Sequence, residues 1–421
     1  MTDIDFDWVA FETALTEAAA NAVRTLVESA AGEKAYAVAF SEFYAERSGC
    51  IYLPNLALAT EESVSDPDCR FSPPDWEYQE YEWGETEPNW GERLTDAVTD
   101  LPGPRWDAAW NRFSEAMLSI AAGTRAALVA DGTLAPDVVV YLDDEEADLL
   151  VRSVTPEELR THFPAYAAAA AAEHTVLAMP VPRRATELAA AAGVIARSSN
   201  HGVDPERAVE LLMDLGAAAV PVAITGLEDK GSDWKAAKLL GDLGFATPDV
   251  MAALWAALPR RGQGHDCVAA ALSSLGSGAE VLARADLPVA SRVAAVAAPY
   301  VSFRDHARSH RPLDYGLLAD GLAVPDLTDE LAAALRPGRG YCTPDLADVP
   351  AVRAGLEHAE PVIRRHAAGL ASQLLGPDRP TGLDDATAQA IHDRLTTLEA
   401  EDTDSAVRRL AGYAVQESGR R

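Results

Sequence analysis

From Pro164 onward the chain is a succession of short Ala-, Leu- and Arg-rich segments broken by Pro and Gly, while six of its eight tryptophans lie in the first 110 residues. This contrast constrains the fold more than any motif does. Small-residue segments pack as paired helices that approach closely, each pair burying its face on the next. A tryptophan-dense segment needs a globular core with room for large rings. A chain of 421 residues is also too long for one ordinary core. Two domains are expected: an aromatic α+β domain over residues 1–165 and an all-α domain over residues 166–421, with the chain predominantly helical overall.

Charge follows the same division. The net charge is −31; residues 1–165 hold 33 acids against 10 bases, and residues 166–421 hold 33 against 25. The acidic front repels phosphate backbones, so nucleic acid is not an expected partner, whereas a basic protein is attracted and its encounter speeded. No run of eighteen apolar residues free of charge occurs, so no membrane-spanning helix is expected. The acidic start, Met1 to Asp7, lacks the pattern of a secretory signal, and a cytoplasmic location is expected. Cys50, Cys69, Cys267 and Cys342 are scattered without a CxxC pair and read as buried thiols. Four lysines against 31 arginines, with abundant alanine, suggest a GC-rich bacterial genome.

Within the front, Asp7 to Glu28 carries Trp8, Phe11, Leu15, Val23 and Leu26 at helical spacing, and Trp106 to Ala130 repeats the pattern. Ala35 to Phe40 reads as a strand with Cys50–Pro54 as its hairpin partner, and residues 55–68 as a short helix and a turn. Arg70 to Trp90 reads as a loop dense in Trp, Tyr, Glu and Pro. Val138–Leu142 reads as a strand buried on both faces, Asp143–Glu146 as the turn after it, and Leu149–Val151 as a returning strand. Thr155-Pro156-Glu157-Glu158 opens a helix, with the Pro in the first position.

Three of these segments carry a resemblance. Tyr36-Ala37-Val38-Ala39-Phe40, the loop Phe71 to Tyr78, and Val138 to Glu145 resemble the bacterial domain of unknown function numbered 4303. That resemblance spans about the first 165 residues. It implies no established activity; relatives occur among candidate immunity proteins of toxin systems, which is association and not mechanism.

In the back, three windows look alike: Pro248–Leu254 leading to Cys267–Gly276, Val349–Leu356 leading to Val362–Leu370, and Ala390–Leu395 leading to Ala406–Ala414. The last two second helices are about 43 residues apart, inside the range of HEAT repeats. Residues 166–421 therefore resemble a HEAT-like α-solenoid, with residues 300–345 read as an irregular insertion; the rival reading is an irregular helical bundle.

Chemistry is thinly marked. Asp143, Asp144, Glu145, Glu146 and Asp148 supply the oxygen ligands a hard cation takes, so Asp143 and Asp144 are weak metal candidates, although four successive acids point apart. Gly264-His265-Asp266-Cys267 sets a His near a Cys at the start of an apolar helix, which favours a structural thiol. His306 and His310 have i,i+4 spacing without HExxH. No nucleotide-binding glycine motif and no GxSxG occurs, and no cofactor is expected. The strongest candidate is the Trp loop, where Tyr81 and Trp83 lie among Glu80, Glu82, Glu85 and Glu87, an arrangement suited to anchoring a basic protein. The expected function is non-enzymatic protein–protein interaction, in its sharpest form immunity-type inhibition of a basic toxin domain. The alternative is an enzyme with an unrecognised, metal-assisted site in the front domain.

Overall fold

In the computed structural model of the chain, residues 4–46, 49–99, 101, 103–199, 201–229, 231–259, 265–308, 311–376, 379–380 and 382–418 are described. The chain divides into two compact units, Met1–Ala167 and Ala168–Arg421, two residues beyond the boundary expected at 165. It is predominantly helical.

The first unit runs α1 (Trp8–Ser29), β1 (Ala35–Ser41), β2 (Ala45–Glu46), β3 (Cys50–Ile51), β4 (Asn55–Thr60), β5 (Tyr78–Glu80), α2 (Trp90–Val98), α3 (Gly103–Ala130), β6 (Val139–Asp143), α4 (Asp148–Ser153), α5 (Pro156–His162) and the first part of α6 (Pro164–Leu177). One sheet has the order β5-β4-β1-β6, with β4 antiparallel and β6 parallel to β1. Period-two alternation sorts its side chains. Val38, Phe40, Leu56, Leu58, Val140 and Leu142 face the core built with α1 and α3. Ala37, Ala39, Ala57, Ala59, Val139 and Tyr141 face the other side, where Trp76, Leu150, Leu159 and Phe163 cover them. Asp7 caps α1, its carboxylate accepting from the Ala10 amide at 3.1 Å. Thr155 and Glu158 close a reciprocal capping box at α5.

Three local expectations fail, two because pairing across the sheet outweighs local preference and one because a side chain starts a helix. Asn55–Thr60 is a strand and not a helix, because Leu56 and Leu58 fill one core while Ala57 and Ala59 fill the other. It takes the place beside β1 expected for Cys50–Pro54; Cys50–Ile51 pairs instead with Ala45–Glu46. Leu149–Val151 lies in α4, because the Asp144 carboxylate accepts from the Asp148, Leu149 and Leu150 amides and starts a helix there.

The second unit continues through α7 (Val181–Ala191), α8 (Pro205–Leu215), α9 (Val220–Gly226), α10 (Asp233–Leu243), α11 (Pro248–Ala257), α12 (His265–Leu272), α13 (Gly278–Ala283), α14 (Val289–Ala297), α15 (Gly316–Leu322), α16 (Pro325–Ala334), α17 (Val349–Leu356), α18 (Pro361–Leu375), α19 (Asp385–Glu401) and α20 (Ser405–Ser418). Alternate helices pack in succession, α10 on α12, α12 on α14 and α14 on α16; α17 packs on α18, and α18 and α19 both pack on α20. Small residues set the approach: a Cβ on Gly241 would lie 3.2 Å from the Ala271 Cα, and one on Gly355 would lie 2.8 Å from the Ala367 Cβ. Ala368 and Ala411 are fully buried.

Residues 300–345, read as an irregular insertion, are woven into this core. Tyr300, Leu313, Tyr315, Leu318, Leu327 and Leu331 are all buried in it. Arg304 is tied to Asp348 at 2.8 and 2.9 Å, and Asp348 also accepts from the Leu313 and Asp345 amides. His366 is fully buried; its Nε2 donates to the Tyr300 carbonyl and its Nδ1 accepts from the Tyr315 hydroxyl, both at 2.7 Å. By length and composition one described run, Pro205–Gly226, is apolar enough to cross a membrane. Here it is α8 and α9 with a 3-10 turn between them, where Gly216 has φ 57°, and Leu211, Leu212, Ala219 and Ala223 are in the core of the second unit.

Candidate functional site

The strand register brings two acidic clusters, far apart in sequence, to one end of the first unit's sheet. Glu80 at the end of β5 lies opposite Leu56, Asn55 at the start of β4 lies opposite Ser41, and Ser41 at the end of β1 lies opposite Asp143 at the end of β6. Everything that leaves this edge therefore starts from the same side of the sheet: the loop with Glu80, Glu82, Glu85 and Glu87, the segment from Glu42 to Tyr52, and the turn from Asp143 to Asp148.

Exposed aromatics accompany these acids. Tyr44 and Tyr52, flanking the β2–β3 hairpin, are exposed and stack with ring centroids 5.8 Å apart. Tyr81 is 66% exposed. Beside them lies a cleft of about 460 Å³ lined by Phe43, Trp106, Trp110, Asp144, Asp148 and Arg152, among others. The Trp106 and Trp110 rings stack at 6.2 Å and 8°. Arg152 pairs with Glu115 at 2.6 Å.

Of the partner-binding residues expected from the sequence, Tyr81, Glu82, Glu85 and Glu87 are exposed and Glu80 is half-buried. The Glu80 carboxylate accepts from the Glu82 amide at 3.0 Å and shapes the loop. Trp83 does not belong with them. It is 6% exposed, its indole N–H donates to the Pro54 carbonyl at 2.7 Å, and its ring meets Phe40 edge-on at 5.4 Å. It is a core residue and not an exposed anchor, because the chain after β5 turns back over the start of β4. Gly84 allows this close return: a Cβ there would clash with the Leu53 side chain. Trp76 and Trp90 are buried as well, the indole of Trp76 donating to the Cys69 carbonyl at 3.0 Å.

The weak metal candidates have other work. Asp144 spends both oxygens on the first amides of α4. Asp143 is half-buried, and burial, with the Asp144 charge beside it, pushes its carboxyl up to about 6. Among the described residues no group of three or more His, Cys, Asp or Glu is placed to hold a metal ion. Gly264, the His265 side chain and His310 lie outside the described residues. Cys267 is half-buried and burial raises its thiol pKa.

Sequence reasoning missed the convergence at the sheet end, the Tyr44–Tyr52 pair and the Trp106–Trp110 cleft. The parallel pairing of β1 with β6 is the step that joins them, and only a strand buried on both faces, Val138–Leu142, hinted at it.

No protein-family model matches the chain, and no curated protein sequence does. Among solved structures, human deoxyhypusine hydroxylase in complex with glycerol is similar to 60% of this chain and 98% of that chain, at 13% identity and a TM-score of 0.24. A likeness that loose carries no argument about fold or activity.

Proposed function

We propose that the chain is a non-enzymatic protein–protein interaction protein whose first unit receives a basic partner at the acidic, tyrosine-bearing end of its sheet. The observation that carries this reading is the register that sets exposed Tyr44, Tyr52 and Tyr81 beside the acids of residues 80–87 and 143–148, on a unit with 33 acids against 10 bases in residues 1–165. Exposed tyrosines offer large rigid contact area at low entropic cost, and the acids steer a cationic surface toward them. The sharpest form is immunity-type inhibition of a basic toxin domain by a bacterial cytoplasmic protein, which agrees with the likeness of residues 1–165 to the family numbered 4303. For the second unit we propose a HEAT-like α-solenoid; the succession α10, α12, α14, α16 and the pairs α17–α18 and α19–α20 support it. Neither nucleic acid nor a membrane is a proposed partner.

The test takes a basic partner recovered from the native host and measures association with the full chain across salt. Wild type should associate ever more slowly as salt rises, since steering is screened beyond about 8 Å at physiological ionic strength. Replacing Tyr44, Tyr52 and Tyr81 together with Ser should speed dissociation. A partner whose binding ignores both salt and the three tyrosines would place recognition elsewhere and end this reading.

A further inference from the structure

The break between α12 and α13 sets a buried unpaired hydroxyl, a glycine of positive φ and an arginine around one cavity. Ser273–Ser277 is a kink at which the chain leaves α12 before α13 starts, and Gly276 inside it has φ 101°. That φ is open to glycine and closed to most other residues. Ser273 is 7% exposed, yet its hydroxyl has no hydrogen-bond partner. A buried hydroxyl left unpaired is a net cost to the fold, and each one in a native structure calls for a cause. Arg311 is exposed and makes no ion pair and no side-chain hydrogen bond among the described residues. Its guanidinium lies on Gly276, leaving no room for a Cβ there.

All three residues line a cavity of about 280 Å³ whose apolar walls include Pro299, Leu313 and Leu317. The other charged groups on it are Arg304 and Asp314. Arg304 is held by Asp348 at 2.8 and 2.9 Å and donates to the Arg311 carbonyl at 3.0 Å. Asp314 accepts from the Gly316 amide at 2.9 Å. Among the described residues the Arg311 guanidinium and the Ser273 hydroxyl are without partners on the polar side, facing an apolar side. Where a chain breaks packing rules at several neighbouring positions, function is the expected compensation.

From this geometry we infer that the cavity binds a small organic monocarboxylate. The carboxylate accepts from Arg311, in the forked geometry a guanidinium offers, and from the Ser273 hydroxyl. The short apolar part lies on Pro299, Leu313 and Leu317. The Asp314 carboxylate on the same lining opposes a second negative charge, which excludes phosphate and dicarboxylates. This site belongs to the second unit and is independent of the partner surface proposed for the first.

The test is direct binding of butyrate, 3-methylbutanoate and hexanoate to the full chain by calorimetry and ligand-observed NMR. At least one should saturate a single site. Arg311→Gln and Ser273→Ala should each weaken it by about tenfold or more. Ser273→Ala should melt at or above the wild-type temperature, because the hydroxyl it removes has no partner; a loss of binding in that variant is then not a loss of fold. Inorganic phosphate and succinate should fail to compete. The inference is overturned if none of the three acids saturates the wild type, if both variants bind as wild type does, or if phosphate displaces the acid.

Discussion

Trp83→Ala tests the largest difference between what the Trp loop looks like in sequence and where its rings sit. An exposed anchor would change binding alone; a core ring changes the fold. A buried tryptophan removes about 150–250 Å² from water, which at about 25 cal/mol per Å² is about 4–6 kcal/mol. That is an upper bound, since alanine keeps part of the area and the unfolded chain is not fully extended. Collapse of the site is opposed by Gly84, already in close contact with Leu53, and by β4 beneath. The expected cost is about 3–5 kcal/mol. Trp83→Phe, which keeps most of the ring but leaves the Pro54 carbonyl without its indole donor, should cost about 1–3 kcal/mol. Urea unfolding of the full chain followed by tryptophan emission reads this well, because six of the eight tryptophans lie in the first unit. Tyr81→Ala, two residues away, should stay within about 0.5 kcal/mol of wild type. A Trp83→Ala shift under about 1 kcal/mol, or one equal to that of Tyr81→Ala, would refute the placement of Trp83 in the core.

Changing Glu80, Glu82, Glu85 and Glu87 together to Gln should lower the association rate of a basic partner at low salt and leave the melting temperature nearly unaltered; an unchanged rate constant would show that steering arises elsewhere. Ala368→Leu and Ala411→Leu should each overpack the helix pairs and cost about 1–3 kcal/mol, and denaturant midpoints equal to wild type for both would contradict the close approach of α17–α20. His366 is held neutral, with burial lowering its pKa to about 4. The unfolded chain takes up that proton near pH 6.5 and the folded chain does not, so the stabilisation is whole above about pH 6.5 and is lost as pH falls toward 4, by about 3 kcal/mol. His366→Gln should flatten the stability profile over that window, and an identical slope would show that other groups set it. Asp143 has the opposite sign: its carboxyl, pushed up to about 6, is a burden when ionised. Asp143→Asn should therefore raise the melting temperature at pH 7 and lose that advantage near pH 4; a lower melting temperature at pH 7 would show that the ionised form is held favourably.

The long helices α1 and α3 were legible because their apolar residues recur at helical spacing over many turns, and Thr155 to Glu158 because its capping chemistry is local. The windows around α17 to α20 were legible as helix pairs for the same reason. β4 was not, since Leu-Ala-Leu-Ala-Thr favours a helix until β1 and β5 are present to pair with it. The candidate surface was half legible. Acids and tyrosines in the 80–87 loop could be read directly, but which ring faces out depends on contacts with Phe40 and Pro54 that spacing does not reveal. The hairpin tyrosines and the Trp106–Trp110 cleft depended on sheet order, which no local pattern encodes. Residues 300–345 looked like an insertion because Pro and Gly interrupt the period, yet tyrosine hydroxyls and a buried ion pair hold them where apolar spacing does not.

That ion pair sets the grain of the second unit's motions. Asp348 receives Arg304, the Leu313 amide and the Asp345 amide at once, so three stretches of chain share one carboxylate. Opening any one of them strands a charge in a dry interior, at a cost of about 3–5 kcal/mol. The stretches around Arg304, Leu313 and Asp345 therefore do not fray piecemeal. In native-state hydrogen exchange the amides of Leu313 and Asp345 should exchange with the same opening free energy as α17, as one cooperative unit, and a protease should find no early nick between them.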